Sequence, residues 1–514
     1  MPNIRQNVWE LGADWADPIL WYARGVAEMK QRSMDEPSSW RFYAGMHGFN
    51  ASLWELLGYL KAGESLPSSA LQAQYWRQCQ HGSWYFLPWH RGYLLAFEAT
   101  VRAAVVALGG PATWALPYWN YFKTGQDALP PAFASPNWPD GTGDNPLFVV
   151  PRYGPDGDGN VFVPVAEVNL QAMNDPAYTG VSIGGSPGFG GVDTGFSHNG
   201  AVHGGIETQP HDWVHGLVGG AKDNDSHFPG AMSVPASAAL DPIFWLHHAN
   251  IDRLWQSWNA AASTPPHTDP TETTWLEGPP SVGQRGFAMP MPDGKSWSYT
   301  PRDMMDLAAL GYGYDDLTPG IALPSATVQD RMVMLGISAG REGAETVSGE
   351  NVELIGANDT AVPVIGERVR SHVQLDSQMR GKVADSLSRT ELDLDAEFAP
   401  DRVLLNLEGV RGQSDTVPFH VYVGLPEGAD PAGHPELLAG SIAPFGLTEA
   451  SRSDSDQGGG GLTFVLEITH IVDRLHAEGS FDVDTLEVTI VPVHAVTEED
   501  NVSIGRISIF RQGR

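Results

Sequence analysis

Residues 241–255 read DPIFWLHHANIDRLW. The stretch is apolar with helical spacing, and Asp241-Pro242 supplies a start signal. Within it, His247 and His248 are adjacent. Neighbours on a helix point about 100° apart, so at most one of the two serves a given ion. Upstream, PHDWVHG places His211 and His215 four residues apart, on one helical face. That pair alone does not separate a metal site from packed or solvated histidines. Further upstream, CQHGSWYFLPWHRGYLLAFE (79–98) holds His81, His90 and Cys79, and YAGMHGFN holds His47. Two triplets result: His47, His81 and His90, then His211, His215 and one of His247 and His248. Imidazole suits copper, zinc, iron and nickel. Three protein ligands per ion leave a coordination position open, which means catalysis or small-ligand binding. The pattern alone reaches an all-histidine, two-metal site with copper among the candidates.

The surroundings fit a helical module. Residues 14–32 predict an amphipathic helix with Pro18 in its first turn, 38–61 a second, and the run after Pro88 a third. Residues 124–205 are dense in Gly, Pro and Asp and predict loop. After about residue 340 the character changes. RVLLNLEGV, PFHVYVGLP, LTFVLEITHIVDRL, DTLEVTIVPVHAV and SIGRISIF are short β-branched runs, which predict an all-β sandwich.

Composition narrows the function. The 514 residues carry a net charge of -32, which argues against nucleic acid or an anionic membrane as partner. No apolar run is long enough to span a bilayer, and no signal peptide is evident, so the expected location is cytoplasmic. One cysteine excludes an internal disulfide. Seventeen tryptophans imply a crowded aromatic interior or a stacking surface.

The motifs resemble those of the type-3 copper proteins: tyrosinases, catechol oxidases (polyphenol oxidases) and molluscan haemocyanin units. FLPWHRGYLLAFE (86–98) looks like the family's copper-A signature and DPIFWLHHANIDRLW like its copper-B signature. IETQPHDWVHGLVGG (206–220) matches the segment between them. The resemblance makes His248, not His247, the sixth ligand, and puts His247 beside the substrate entrance. It implies an antiparallel four-helix bundle around two copper ions in residues 1–265. It also implies a connector like that of plant polyphenol oxidases in 266–336 and a β-sandwich domain in 337–514. In such relatives the last domain shields the copper entrance until cleavage, and GREGAE and SGEN in 337–360 look cleavable.

The implied activity is oxidation of o-diphenols to o-quinones by O2, with ortho-hydroxylation of monophenols as a further activity. The implied partners are phenolic small molecules and O2; the sequence names no copper-delivery partner. An o-aminophenol oxidase and a haemocyanin-like O2 carrier are the alternatives. The resemblance gives Glu207 a role in deprotonating the phenol and Phe244 a gating role. Asp212 stands where many strong monophenol hydroxylases have asparagine; it is expected to act as a base or to attract an amine. Gly216 implies an open entrance. Asp252, four residues after His248, either supports that ligand or forms a surface salt bridge; Met232 and Asn250 are further supporting groups. His198 and His203 are expected to be exposed loop residues. Cys79-Gln80-His81 has the spacing that carries a Cys–His thioether in fungal tyrosinases and molluscan haemocyanins, whereas plant enzymes place their cysteine further upstream.

Overall fold

A computed structural model describes residues 2–263, 266–320, 351–387, 401–455, 458–478 and 484–513. The expected cleavable segment lies outside them over 337–350; residues 351–357 are already strand.

Five helices frame the first half: α1 (Asp17–Gln31), α2 (Trp40–His47), α3 (Phe86–Ala107), α4 (Trp213–Gly219) and α5 (Pro242–Ala260). In α1, Pro18 sits in the first turn, and Ile19, Tyr22, Val26 and Met29 form the buried stripe. That stripe packs along α3. The predicted 38–61 helix is two helices. It breaks at Gly48, and Asn50 caps a second piece, Ala51–Leu56. A Cβ on Gly48 would lie 2.9 Å from the Ala236 backbone, so only glycine lets that chain approach. α3 and α5 are buried on nearly all sides and pack on each other, with Phe97 stacked on Trp245 at 3.4 Å. Asp241 caps α5 through Ile243 N–H at 2.9 Å. Trp40, Trp89, Trp245, Trp255 and Trp258 are wholly buried, so the tryptophans line an interior.

The connector shares this core. Asn3–Arg5 runs parallel to Tyr312–Tyr314, and the hairpin Phe287–Pro290/Ser296–Tyr299 anchors on α3 through Tyr299 Oη–H donating to Trp89 O at 2.8 Å. Asp252 is the hub of this join. Its carboxylate meets Arg91 at 2.6 Å and Arg5 at 3.1 Å and accepts from Tyr312 at 2.7 Å. Both arginines are buried and hold the Asp252 carboxyl low against the upward push of burial. The expectation of a surface salt bridge or a support for His248 is therefore corrected: Asp252 pins the N-terminus and connector to α5. Removing one partner from such a buried network costs about 3–5 kcal/mol because the others are left uncompensated.

Eight strands of the second half build its main sheet: β1 (Asn351–Ala357), β2 (Val369–Leu375), β3 (Arg402–Val410), β4 (Phe419–Val423), β5 (Leu438–Ile442), β6 (Leu462–Glu467), β7 (Thr485–Pro492) and β8 (Arg506–Gly513). They form one antiparallel sheet in the order β5-β4-β7-β2-β1-β8-β3-β6, where two facing sheets were expected. The sheet rolls until its edges meet: a Cβ on Gly440 of β5 would touch Leu466 of β6 at 2.8 Å. Nor is the module all-β. Ser377–Leu387 and Thr469–Ala477 are helices, and the second occupies the THIVDRL stretch read as strand. Its buried Ile471 and Val472 satisfy a helix face equally well.

This module packs directly on the helical half. Thr463 N–H donates to Ala201 O at 2.7 Å, Gln209 to Ser441 O at 3.1 Å and His494 to Pro155 O at 2.9 Å. Ala443 and Phe445, in the loop after β5, enter the first core rather than the second.

Candidate dinuclear metal centre

Seven of the histidines singled out in the sequence converge. One group comprises His47, His81 and His90 with Cys79; the other comprises His211, His215, His247 and His248. Within each group the potential ligand atoms lie within 4.8 Å of one another, and all are buried. The groups abut: His90 stacks on His248 at 4.5 Å and 13°, and His81 lies 5.8 Å from His211.

The helices aim these rings. His47 ends α2, and its Nδ1–H donates to Pro235 O at 2.8 Å, the backbone that Gly48 admits. His90 donates from Nδ1 to Phe86 O, one turn back in α3, at 2.8 Å. His215 donates to Met232 O at 2.9 Å, which gives Met232 a supporting role through its carbonyl. Before α4, Gln209 is extended ahead of Pro210. The chain then turns so that His211 Nδ1–H meets Asp212 Oδ1 at 2.8 Å. With Nδ1–H donating, Nε2 carries the lone pair in each of these rings.

That arrangement is a test of fit for a metal. His47 Nε2, His211 Nε2 and His247 Nε2 are buried without a partner, which is unfavourable unless something takes the lone pairs. Burial pushes every ring toward neutrality, His47 and His247 to about 3, and the others well down with help from neighbouring rings. Neutral, oriented imidazoles are what a copper or zinc ion requires. His215 Nε2 and His248 Nε2 converge to 3.2 Å, as two ligands of one ion would. His248 lies between the groups, whereas His247 stacks on His211 at 5.5 Å with its Nδ1 3.3 Å from Tyr121 Oη.

The stretch from Cys79 to Gly82 is held rigidly. Gly82, at φ +57°, accepts close contact with Gly200, and Gly200 N–H donates to His81 O at 2.7 Å. Cys79 Sγ is 3.6 Å from both His81 Nδ1 and His81 Nε2. A point equidistant from both nitrogens faces the Cε1 between them or stands over the ring. Cys79 Sγ also lies 3.3 Å from His90 Nε2.

Several expectations change around this centre. Glu207 is buried and accepts Gly82 N–H at 3.0 Å; burial and Asp212 hold its carboxyl up. Asp212 is not free to face an amine, because its other oxygen accepts from His203 Nδ1 at 2.7 Å. His203 is therefore a buried site residue rather than an exposed loop histidine, held protonated by Glu207 and Asp212 against burial. His198 is half-buried and donates to Cys79 O at 3.0 Å. Asn250 is buried, but its Oδ1 accepts from Arg253 at 2.9 Å, on the connector side. Phe244 is wholly buried, packed on His248 at 4.1 Å and His47 at 4.9 Å with Tyr93 and Trp245 behind it. It wedges the rings from the core side and does not stand at an entrance. Gly216 faces Ala443 of the β module, 3.2 Å from where a Cβ would lie, beside a cavity of about 240 Å³. The entrance expected there is covered.

What covers it is a residue the sequence reading missed. Phe445 stacks on His215 at 4.3 Å and 23° and meets His81 at 5.5 Å and His211 at 5.7 Å. In SIAPFGLT the only local hint is an aromatic between Pro444 and Gly446, outside any strand alternation.

A fold and a site of this kind define a class: helical proteins with two adjoining all-histidine metal sites, here followed by a β module. Comparison with known proteins agrees. Residues 37–261 match the common central domain of tyrosinase, and residues 351–512 match a domain of unknown function. The chain is 32% identical to tyrosinase HcTyr1 of Hahella sp. (strain CCB-MM4) over 99% of both chains. It is 25% identical to the chloroplastic polyphenol oxidase A1 of Vicia faba, over 92% of this chain and 72% of that one. Latent apple tyrosinase has the same fold, with a TM-score of 0.58 at 23% identity over 99% of this chain and 97% of that one. The chain belongs to the tyrosinase family of type-3 copper proteins.

Proposed function

We propose that this protein is a dicopper oxidase of phenols, converting two o-diphenols to two o-quinones while one O2 is reduced to two waters. The observation that carries the reading is the pair of abutting groups of buried, neutral histidines, four of which (His47, His90, His211 and His215) are fixed through Nδ1. His47, His81 and His90 hold one copper; His211, His215 and His248 hold the other, with α2, α3, α4 and α5 acting as an antiparallel four-helix bundle around them. When bound, the copper pair supplies the redox chemistry that couples phenol oxidation to O2 reduction.

The chain's own residues do the rest. The backbone carbonyls of Phe86, Pro235 and Met232 fix three rings, and Phe244 wedges His47, His215 and His248. Glu207, kept rigid by Gly82, takes the phenolic proton; a carboxyl raised by burial suits proton uptake near neutral pH. Asp212, bonded on both oxygens, works as an acceptor for His211, which removes the main support for the o-aminophenol alternative. Monophenol hydroxylation remains part of the proposal, as do the partition 1–265, 266–336 and 337–514 and a cytoplasmic location. No helix among the described residues is long and apolar enough to cross a membrane. The β module is a shield, with Phe445 as its contact on the histidines.

The test is O2 uptake by the copper-loaded protein with catechol, a monophenol and an o-aminophenol. Turnover of catechol is expected, and no turnover of any of the three, before or after trimming the β module, refutes the oxidase.

Cys79 and His81 form a thioether in this proposal. The bond replaces an S–H and a ring C–H and releases two protons and two electrons; O2, the co-substrate, would be the oxidant, and bound copper would supply the redox chemistry. The copper-matured, unfolded chain is expected to titrate no thiol and to weigh about 2 Da less than its sequence mass, as loss of two hydrogens requires. One titratable thiol per chain at full mass would show that the cysteine is an ordinary buried thiol.

A further inference from the structure

Four ring nitrogens in the centre donate to an acceptor that fixes the ring, and one differs in kind. His47, His90 and His215 donate to backbone carbonyls, which cannot swing away. His211 donates to the side chain of Asp212, which can rotate. Its orientation therefore depends on what holds Asp212. The structure gives one side-chain holder: His203, 4% exposed, whose Nδ1 is 2.7 Å from Asp212 Oδ2.

We propose that His203 is a positioning residue for the second copper: its N–H locks Asp212 onto His211 and so fixes the His211 ring toward the metal. The inference rests on the dicopper reading above and names a residue outside the six ligands.

The donor count supports it. A carboxylate only accepts, so two donors satisfy Asp212, and His211 and His203 are those donors. An asparagine at 212 would turn an N–H₂ toward His211, against that ring's own N–H, or toward His203, which pairs with it only by giving up its Nδ1 proton and accepting. Asp212 and His203 are thus complementary. Glu207 is the competing acceptor, with Oε1 3.8 Å from His203 Nδ1, but its own oxygens are engaged by Gly82 N–H. The loop is clamped as well. Thr463 N–H of β6 holds Ala201 O at 2.7 Å, and the His203 ring lies between His81 at 6.3 Å and Phe464 at 6.5 Å. The β module thereby braces the residue that braces the ligand.

The experiment measures copper content and chelator-driven copper release in the full chain for the wild type, H203A, H203N, D212N and H203A/D212N. Partners of metal-bound histidines are worth about 10–100-fold in affinity, so H203A is expected to release one of its two coppers about 10–100-fold faster. H203N puts an amide N–H₂ near the position of Nδ1 and is expected to stay within about threefold of wild type. In the D212N background, where the carboxylate that accepts from both rings is gone, H203A is expected to add less than about twofold, because residues acting as one chain are not additive. Wild-type release from H203A, failure of H203N to rescue, or multiplying effects of H203A and D212N would each overturn the lock. A wild type that binds fewer than two coppers overturns the dicopper reading instead.

Discussion

Replacing His248 with alanine is expected to leave one copper per chain and to lower kcat/KM for catechol by at least about a thousandfold. The reasoning starts from its ring. His248 Nε2 converges on His215 Nε2 at 3.2 Å, and its Nδ1 has no protein partner. Packing against His90 and Phe244 orients it, with no hydrogen bond to replace. Truncation removes one of three nitrogen donors and leaves a hole in a desolvated site. Metal-assisted stabilisation is worth several kcal/mol, and each 1.36 kcal/mol is a factor of ten in rate. Loss of one ion therefore accounts for about three orders of magnitude. His247→Ala is the paired control. It removes the neighbouring ring but not a proposed ligand, so two coppers should remain with a far smaller loss. Copper analysis decides between the two histidines independently of activity. If H247A is the variant that loses an ion and H248A keeps both, the ligand assignment is reversed.

The parts of this protein that were legible in its sequence are those whose signals are local. The apolar period of α1, the Asp241 cap and the i, i+4 pair His211 and His215 each follow from a few adjacent residues, and the structure has helices where they indicate. The break at Gly48 was not legible, because its cause is a backbone 188 residues away, across which His47 bonds to Pro235. The strands of the second half showed their β-branched character, but nothing local distinguishes two facing sheets from one sheet rolled until β5 meets β6. Thr469–Ala477 was misread because Ile471 and Val472 suit a strand as well as a helix face. The site followed the same rule. Histidines on helices were found, and residues whose importance lies in a distant partner were not. His203 sits among glycines, and its partner Asp212 comes close only because the loop folds back under Thr463 of β6. Asp252 shares a helix face with His248, yet Arg5 and Arg91 draw its carboxylate to the opposite join.

Phe445→Ala, in the otherwise intact chain, is expected to raise kcat/KM for catechol by about ten- to a hundredfold. The Phe445 ring lies on His215 at 4.3 Å and within 5.7 Å of His211 and His81. A phenol approaching those histidines needs the same volume. The shield therefore acts as a tethered competitor, and the apparent affinity for substrate falls by the fraction of molecules in which the ring is out. Burying a phenylalanine side chain is worth about 1.5–3 kcal/mol, and an aromatic pair adds about 0.5–1.5 kcal/mol. Full loss of that energy corresponds to about 30- to 2,000-fold at 1.36 kcal/mol per tenfold. The variant recovers less than the full amount because Ala443 stays against Gly216. This makes the gain depend on substrate size: catechol benefits most, and a bulky diphenol stays excluded until the chain is cut between the modules. The gain must appear with two coppers per chain, which separates unblocking from a change in metal content. Unchanged kcat/KM for catechol in fully loaded F445A would mean that the ring over His215 leaves before substrate arrives, and the β module would then brace the His203 loop without shielding the site.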